Sequence, residues 1–305
     1  MIEHKDYITF LDMIANCIKD IYHGEVIAER CIAMKNNGVQ KIGIMLRKKG
    51  EQIAPNFYIE QQFQEWKEGT RSLQDIAENL CHIFESELEA NHHLAETICF
   101  EWETMKKNVF LRLVNREKNK ELLAKVPYME FMDLAIIYFY SLAISEDVQG
   151  TLILTKEHQN FLGVTTEELH QAAEKNTKQR YPAKVYQMGD LVAKVKKTLG
   201  IELLEPATEE SFMYVLSNET GLFGAISVFF QEELKKIADQ LGHNLYILPS
   251  SIHEMILVPD YNIFLPEKFL EMVQDINTTQ VQETEILSDS VYYYDRAVEQ
   301  LRRVG

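Results

Sequence analysis

The residues whose chemistry stands out lie in LYILPSSIHEMILVPD, residues 245–260. Two apolar segments of this stretch, each with the composition of a buried β-strand, enclose four polar residues: Ser250, Ser251, His253 and Glu254. A hydroxyl, an imidazole and a carboxylate are the groups with which a hydrolase activates a serine nucleophile. They are also the groups of a polar turn, in which hydroxyls hydrogen-bond to free backbone amides.

The spacing of these residues limits the catalytic interpretation. In an extended chain Ser251 and His253 face the same side, but their Cβ atoms are about 7 Å apart, so contact requires a bent backbone. No GxSxG motif is present. His253-Glu254 begins the zinc-protease pattern HExxH, but Leu257 stands where the second histidine should be. Because function concentrates on loops held by a rigid scaffold, we predict that residues 250–254 line a binding site.

A second candidate site follows the apolar segment FLRLVN, residues 110–115. Amide, guanidinium and ammonium donors precede a short predicted helix here: Asn115, Arg116, Lys118 and Asn119. Donors in this position suit an anion held at the N-terminus of a helix. A helix cap with additional surface charge is the simpler explanation of the same residues.

Histidines, acidic residues and cysteines can bind a metal ion where their spacing brings them together. ExxH occurs twice, as Glu89 with His92 and Glu167 with His170, but a chain so rich in glutamate contains about one by chance, so the two are weak evidence for a di-metal site. A wider stripe is predicted to be a solvated acidic surface: His82, Glu85, Glu89, His92 and Glu96. The four cysteines form no CxxC pair and are expected to be reduced: Cys17, Cys31, Cys81 and Cys99. We predict no metal site, and the sequence identifies no cofactor.

Composition and charge limit the classes of function. The chain has 305 residues, 46% of them hydrophobic and 26% charged, which is typical of a globular protein with a full core. A net charge of −16 repels phosphate backbones, so nucleic-acid binding is disfavoured. The longest apolar run, residues 134–144, is too short to span a membrane. MIEHKDYITF shows no export signal, so we expect a cytoplasmic protein.

Residues 1–106 are predicted to form an N-terminal region of helices with one β-hairpin. Apolar residues at helical spacing predict a helix over residues 5–34. The hairpin is predicted from strands at 39–47 and 51–59, with its turn at Lys49-Gly50. Two further helices are predicted at 72–89 and 91–106.

Residues 107–305 are predicted to form an α+β domain. Strands are expected in FLRLVN, in DLAIIYFYSLAI and GTLILT as an antiparallel pair, and in MYVLSN, LYILP and EMILVP. GLFGAISVFF is expected to continue as a strand or to pass from strand to helix. Helices are expected at 157–162, 165–177, 187–199, in QEELKKIADQLG and in LPEKFLEMVQDI. Short turns between neighbouring strands favour an antiparallel-rich α+β fold over a doubly wound one.

Six blocks of sequence occur in order over the second two thirds of the chain: RLVNREKNKELLAKVP (112–127), MDLA (from 132), GVTTEELHQAAEKNT (163–177), MYVLSNETGLFGA (213–225), YILPSSIHEMILVP (246–259) and ILSDSVYYYD (286–295). In this order and spacing they resemble a bacterial family of uncharacterised proteins that carry a single domain of unknown function. Residues 1–105 resemble it more weakly. One position differs, because Leu162 stands where the family has an aromatic residue, with Phe161 just ahead. The resemblance groups these segments into one module and implies no activity.

The function predicted from these features is binding. We expect a non-enzymatic protein that contacts a peptide, a protein or a small ligand through residues 250–254. A hydrolase or metal-assisted enzyme that uses the same turn is the alternative. The sequence does not define an oligomeric state.

Overall fold

The computed structural model describes residues 4–50, 54–97, 101–143, 149–189, 213–262 and 265–305. Contacts divide the chain into two compact units. Unit 1 consists of Met1–Lys35, Val39–Phe100 and Leu142–Gly150, and unit 2 consists of Asn36–Gly38, Glu101–Ser141 and Thr151–Gly305.

Unit 1 combines three helices with a small antiparallel sheet. The elements in chain order are α1 (His4–Ile21), β1 (Val26–Met34), β2 (Gln40–Lys48), β3 (Asn56–Phe57), α2 (Glu60–Lys67) and α3 (Leu73–Thr97). The sheet has the order β1-β2-β3. Apolar residues on one face of α1 recur every three or four positions and are fully buried: Phe10, Leu11, Ile14 and Ile18.

The helices of unit 1 differ from the sequence prediction at their ends. The helix predicted over 5–34 ends at Ile21, because His23 and Gly24 adopt left-handed backbone, and residues 26–34 form β1. The pairing predicted between 39–47 and 51–59 occurs as β2 with β3, but β1 is the longer partner of β2. Helices predicted at 72–89 and 91–106 are one helix, α3, and a short α4 (Trp102–Met105), since no proline or glycine interrupts α3.

Unit 2 contains most of a four-stranded sheet with a strongly buried centre. Its strands are β4 (Val109–Asn115), β5 (Tyr128–Phe131), β6 (Leu134–Ala143) and β7 (Gln149–Ile153), in the order β4-β6-β5 with β7 also paired to β6. The short helix α5 (Lys120–Lys125) connects β4 to β5. Every residue of β4 is buried except the half-buried Arg112. A charged residue inside such a strand requires an explanation, because burial disfavours charge.

Two helices follow this sheet, and one of them protects its edge. Both α6 (Lys156–Leu162) and α7 (Thr166–Arg180) begin with a capping box. Thr177 Oγ1 accepts a hydrogen bond from Leu111 N at 3.0 Å, and Asn176 Nδ2 donates to Val109 O at 2.9 Å. Helix α7 therefore satisfies backbone groups of β4 that no neighbouring strand pairs.

The second sheet of unit 2 has six antiparallel strands. They are β8 (Ala183–Gln187), β9 (Tyr214–Asn218), β10 (Leu245–Ser251), β11 (Glu254–Pro259), β12 (Tyr292–Asp295) and β13 (Gln300–Arg303), in the order β13-β12-β10-β11-β9-β8. Two helices, α8 (Gln231–Leu241) and α9 (Pro266–Thr279), accompany them. The α+β fold with antiparallel-rich sheets is confirmed.

Unit 2 differs from the sequence prediction at one segment and contains one strand that was not predicted. Gly224–Phe229 forms a 3-10 helix where strand or strand-to-helix structure was expected. Strand β8 was not predicted, because its five residues alternate too briefly to stand out. The helix predicted at 187–199 lies largely outside the described residues, apart from a helical start after β8.

Candidate functional site

The polar residues 250–254 form the tip of the hairpin between β10 and β11. Ser251 is paired with Glu254, and the register shifts between Pro249 and Ser251. Proline has no backbone N–H, but Pro249 is tolerated inside β10. The pairing of β10 with the neighbouring β12 ends at Ile247, so no N–H at position 249 is needed to bond to β12. The stretch that separated two predicted strands is therefore a tight turn at the end of both.

The two serines of the tip are used within the hairpin. Ser250 Oγ donates to Glu254 Oε1 at 3.1 Å. Ser251 Oγ accepts from the backbone N–H of His253 at 3.0 Å. Within the described chain, neither hydroxyl is hydrogen-bonded to the imidazole ring of His253, although such a bond would be needed to activate a serine nucleophile.

The imidazole of His253 is bonded to a neighbouring loop. Its Nδ1 accepts from the backbone N–H of Phe223 at 3.1 Å, and the two rings stack with centroids 5.6 Å apart and planes 12° apart. A neutral imidazole that accepts at Nδ1 carries its proton on Nε2. Burial lowers the pKa of His253, Glu285 opposes this effect, and Arg112 adds to the lowering. The histidine is therefore neutral at pH 7.

The loop that contacts His253 runs from Asn218 to Gly224 and has a compact internal structure. Asn218 Nδ2 donates to Leu222 O at 2.9 Å, and Asn218 Oδ1 accepts from Thr220 N at 3.0 Å. Phe223 adopts a left-handed backbone with φ of 53°. This conformation is unfavourable for a residue with a side chain, so the hydrogen bond and the stacking with His253 hold it in place.

Gly224 is required by the close approach of the hairpin to this loop. A Cβ atom at this position would lie 2.2 Å from Ser217 Oγ, 2.8 Å from Asn218 N and 2.7 Å from His253 O. Ser217 Oγ itself donates to His253 O at 2.8 Å. Hairpin and loop are thus joined by both the ring and the carbonyl of His253.

Arg112 of β4 contributes a positive charge to this site. Its Cζ lies 4.2 Å from the centre of the Phe223 ring, a cation–π distance. Its Nε is buried and has no hydrogen-bond partner, and no carboxylate lies within 4 Å, as far as the structure describes the chain. Burial lowers the pKa of Arg112 to about 10, which leaves the guanidinium charged at pH 7.

Aromatic side chains extend the site along the face of the four-stranded sheet. Phe139 contacts Phe223 edge to face with centroids 5.3 Å apart, and Phe110 contacts Tyr181 in the same way at 5.0 Å. The hydroxyl of Tyr181 is buried and, in the described ranges, has no hydrogen-bond partner. We call the set the aromatic-basic cluster: Phe110, Arg112, Phe139, Tyr181, Phe223 and His253.

Arg112, Phe223 and Tyr181 were not predicted as site residues. The available signal was the single charge inside the apolar segment FLRLVN, since an arginine in a buried strand is unusual. Phe223 lies in GLFGAISVFF, which was predicted to be a strand or to pass from strand to helix. The contact between them joins two sheets and cannot be seen in local sequence.

Asn115 and Asn119 of the second candidate site bond to protein groups. Asn115 Nδ2 donates to Leu287 O at 3.0 Å, and its Oδ1 accepts from Lys118 N at 2.9 Å. Asn119 Nδ2 donates to Asn115 O at 2.8 Å and to Asn37 Oδ1 at 2.9 Å, and Asn119 Oδ1 accepts from Asn37 N. These amides act as connectors between segments of unit 2.

Arg116 lies on the surface beside the two asparagines. Its Nη1 is paired with Glu130 Oε2 at 2.7 Å, and both side chains are exposed. Exposed ion pairs of this kind are weak. Anion binding at residues 115–119 stays a prediction, in which the ligand would compete with Glu130 for Arg116.

Nowhere in the described ranges do three histidine, cysteine or acidic side chains converge as a metal site. His170 of the second ExxH is buried and hydrogen-bonds through Nδ1 to Tyr138 Oη at 3.2 Å. The side chains of Glu89 and His92 lie outside the described part. Three cysteines are free thiols, Cys17, Cys31 and Cys81, and Cys99 lies outside the described residues.

The structure defines an α+β protein whose candidate site joins a hairpin tip, a loop and a half-buried arginine. No described helix has the length and apolar character needed to cross a membrane. The sequence matches the model of a family of unknown function (DUF5688) over residues 7–296, and the chain belongs to this family. The match agrees with the expected family of unknown function and includes the N-terminal region from residue 7. No curated protein and no solved structure matches the chain.

Proposed function

We propose that this protein is a non-enzymatic binding module, whose ligand contacts the β10–β11 hairpin tip and the loop Asn218–Gly224. The observation that carries the proposal is the bonding of His253, which accepts from Phe223 N–H and stacks on the Phe223 ring. An imidazole bonded in this way positions a loop, and its Nδ1 is not free to accept a proton from a substrate.

The bonding of the serines supports binding over hydrolysis. Ser250 Oγ is directed to Glu254, and Ser251 Oγ serves the backbone of the turn. A hydrolase would need one of these hydroxyls within hydrogen-bond reach of a base and beside oxyanion donors. The half-buried side chains of the tip instead offer polar groups on a rigid hairpin, as binding sites commonly do.

The chemistry of the partner is limited by charge. A net charge of −16 disfavours nucleic acid. A peptide, a protein or a small ligand fits the polar tip beside the aromatic rings, because such sites combine apolar lining with a few placed polar groups. A cytoplasmic location is part of the proposal.

The test is a native mass spectrum of the gently purified full chain, compared with its denatured mass, for the wild type and for His253→Asn. The asparagine Oδ1 can replace Nδ1 as the acceptor for Phe223 N–H, so the loop is retained while the imidazole ring is lost. We expect a surplus mass on the wild type that decreases in the variant. Equal surplus masses would locate the ligand elsewhere. Turnover of an ester, peptide or phosphate substrate that His253→Asn abolishes would replace the proposal by the hydrolase alternative.

A further inference from the structure

Arg112 has an unusual environment for a charged residue. The chain carries 47 acidic and 31 basic residues, so a carboxylate partner is the common situation for an arginine here. Arg112 nevertheless has no ion pair with any described carboxylate, and its buried Nε donates to no described acceptor. A buried donor without an acceptor is destabilising, and a charged one more so.

The contact with Phe223 compensates for only part of this burial. A cation above an aromatic ring at 4.2 Å is attracted to the ring face. The contact uses none of the hydrogen-bonding capacity of the guanidinium, whose five N–H groups form a fixed fork. No described group accepts a hydrogen bond from the buried Nε, and an arginine fork matches a planar or tetrahedral oxyanion in two parallel hydrogen bonds.

A second donor without a partner borders the same aromatic rings. The buried Tyr181 hydroxyl has no acceptor among the described residues, and its ring packs on Phe110, which in turn packs on Phe139. Phe139 contacts Phe223, the ring beneath Arg112. Native proteins contain few buried polar atoms without partners, so two of them around one cluster indicate an acceptor that the described residues do not supply.

From these contacts we propose that Arg112 binds an oxyanion, the carboxylate or phosphate group of a ligand, at the aromatic-basic cluster. This inference rests on the proposed binding function and adds the chemical class of the ligand. Arg112 supplies the charge-assisted hydrogen bonds, and Phe223 supports the guanidinium. The aromatic rings offer an apolar surface to the remainder of the ligand.

The experiment follows the Nε–H resonance of Arg112 in the nitrogen-15 NMR spectrum of the full chain, assigned by its absence in Arg112→Met. Inorganic phosphate and acetate are titrated separately at constant ionic strength. We expect a saturable shift with at least one of the two anions, and the anion that saturates at lower concentration identifies the class. Arg112→Lys keeps the charge but loses the fork. In this variant the backbone N–H resonance of Phe223 reports binding, and it should saturate at an anion concentration about 10- to 100-fold higher than in the wild type.

Arg116→Met is the matched control, because it removes the exposed arginine of the other predicted anion site. The proposal is supported if Arg116→Met leaves the saturable shift unchanged and if the backbone N–H resonance of Phe223 responds to the anion in the wild type but not in Arg112→Met. A resonance of Arg112 that neither anion shifts saturably overturns it, as does binding that depends on Arg116. If neither anion shifts the Arg112 resonance, but the surplus mass in the native spectrum depends on His253, the oxyanion inference is wrong and the proposed binding function stands. If Arg112 binds the anion but no mass depends on His253, the proposed function needs revision.

Discussion

The backbone N–H of Phe223 donates to Nδ1 of His253 at 3.1 Å, and the two rings stack almost in parallel. Phe223 has the left-handed backbone that residues with a Cβ avoid. The histidine therefore stabilises an unfavourable loop conformation, and this loop places an aromatic ring against Arg112. A histidine that we selected as a candidate for chemistry thus has a clear role in positioning the site.

Replacing His253 tests this relationship directly. His253→Ala leaves the Phe223 N–H without its acceptor and removes the stacking, which should lower the free energy of unfolding by about 1–3 kcal/mol. His253→Asn retains an acceptor and should lose less. Urea unfolding of the three proteins measures the difference. Equal losses in the two variants would mean that the hydrogen bond contributes nothing to stability.

Two glycines of the loop should respond differently to alanine. At Gly224 the new Cβ would lie 2.2 Å from Ser217 Oγ and 2.7 Å from His253 O, and overpacking of this kind costs about 3 kcal/mol. At Gly221 nothing lies within 4 Å, but φ is +69°, which costs an alanine about 1 kcal/mol. Thermal unfolding should therefore show the larger loss for Gly224→Ala. The reverse order would show that the hairpin and the loop are not packed as closely as described.

The hairpin tip of the candidate site could be predicted from sequence because its signals are local. The polar break between two apolar segments indicated a turn. The order of polar and apolar residues along the chain is enough to place this turn, the hairpin tip, at residues 250–254. The boundary between α1 and β1 was missed because residues 26–34 have apolar residues at spacings that suit both a helix and a strand. His23 and Gly24 end the helix through backbone conformation, which apolar spacing does not report.

The remaining part of the site depends on tertiary contacts. Arg112 lies in one sheet of unit 2, while Phe223 and His253 follow strands of the other. Their association results from the packing of the two sheets, and no single segment encodes it. The blocks around residues 213–225 and 246–259 were recognised as belonging to one module, and the structure shows that they meet at His253.

Asp133 should be a strong contributor to the stability of unit 2. Its carboxylate accepts from Ser288 Oγ at 2.6 Å and from Tyr292 Oη at 2.9 Å. Hydrogen bonds to charged groups contribute about 1.5–3 kcal/mol, so Tyr292→Phe should lower the free energy of unfolding by about this amount. Asp133→Ala should cost more, because two hydroxyls then lose their acceptor. The double variant should be less destabilised than the sum of both, and strict additivity in urea unfolding would show that the two groups do not interact.

Protonation of His170 should make stability depend on pH. Burial lowers its pKa below the ordinary value of 6.5, while Glu174 and Glu167 oppose the shift. As the pH falls below 6.5, the unfolded chain therefore binds a proton before the folded chain does, and the free energy of unfolding decreases. This contribution is fully present above the unfolded pKa and is lost as the pH falls through the folded pKa.

The variant His170→Asn isolates this contribution from the many carboxylates that also titrate in acid. Asparagine keeps a polar atom near Tyr138 Oη, which is hydrogen-bonded to Nδ1 of His170 in the wild type, but it has no proton to gain. Urea unfolding between about pH 7.5 and about pH 5 should show a steeper loss for the wild type than for the variant. The variant is also expected to be less stable at neutral pH, so the comparison concerns the slope with pH and not the absolute value. Parallel slopes would mean that His170 binds its proton equally well in the folded and unfolded chains, against the effect of its burial.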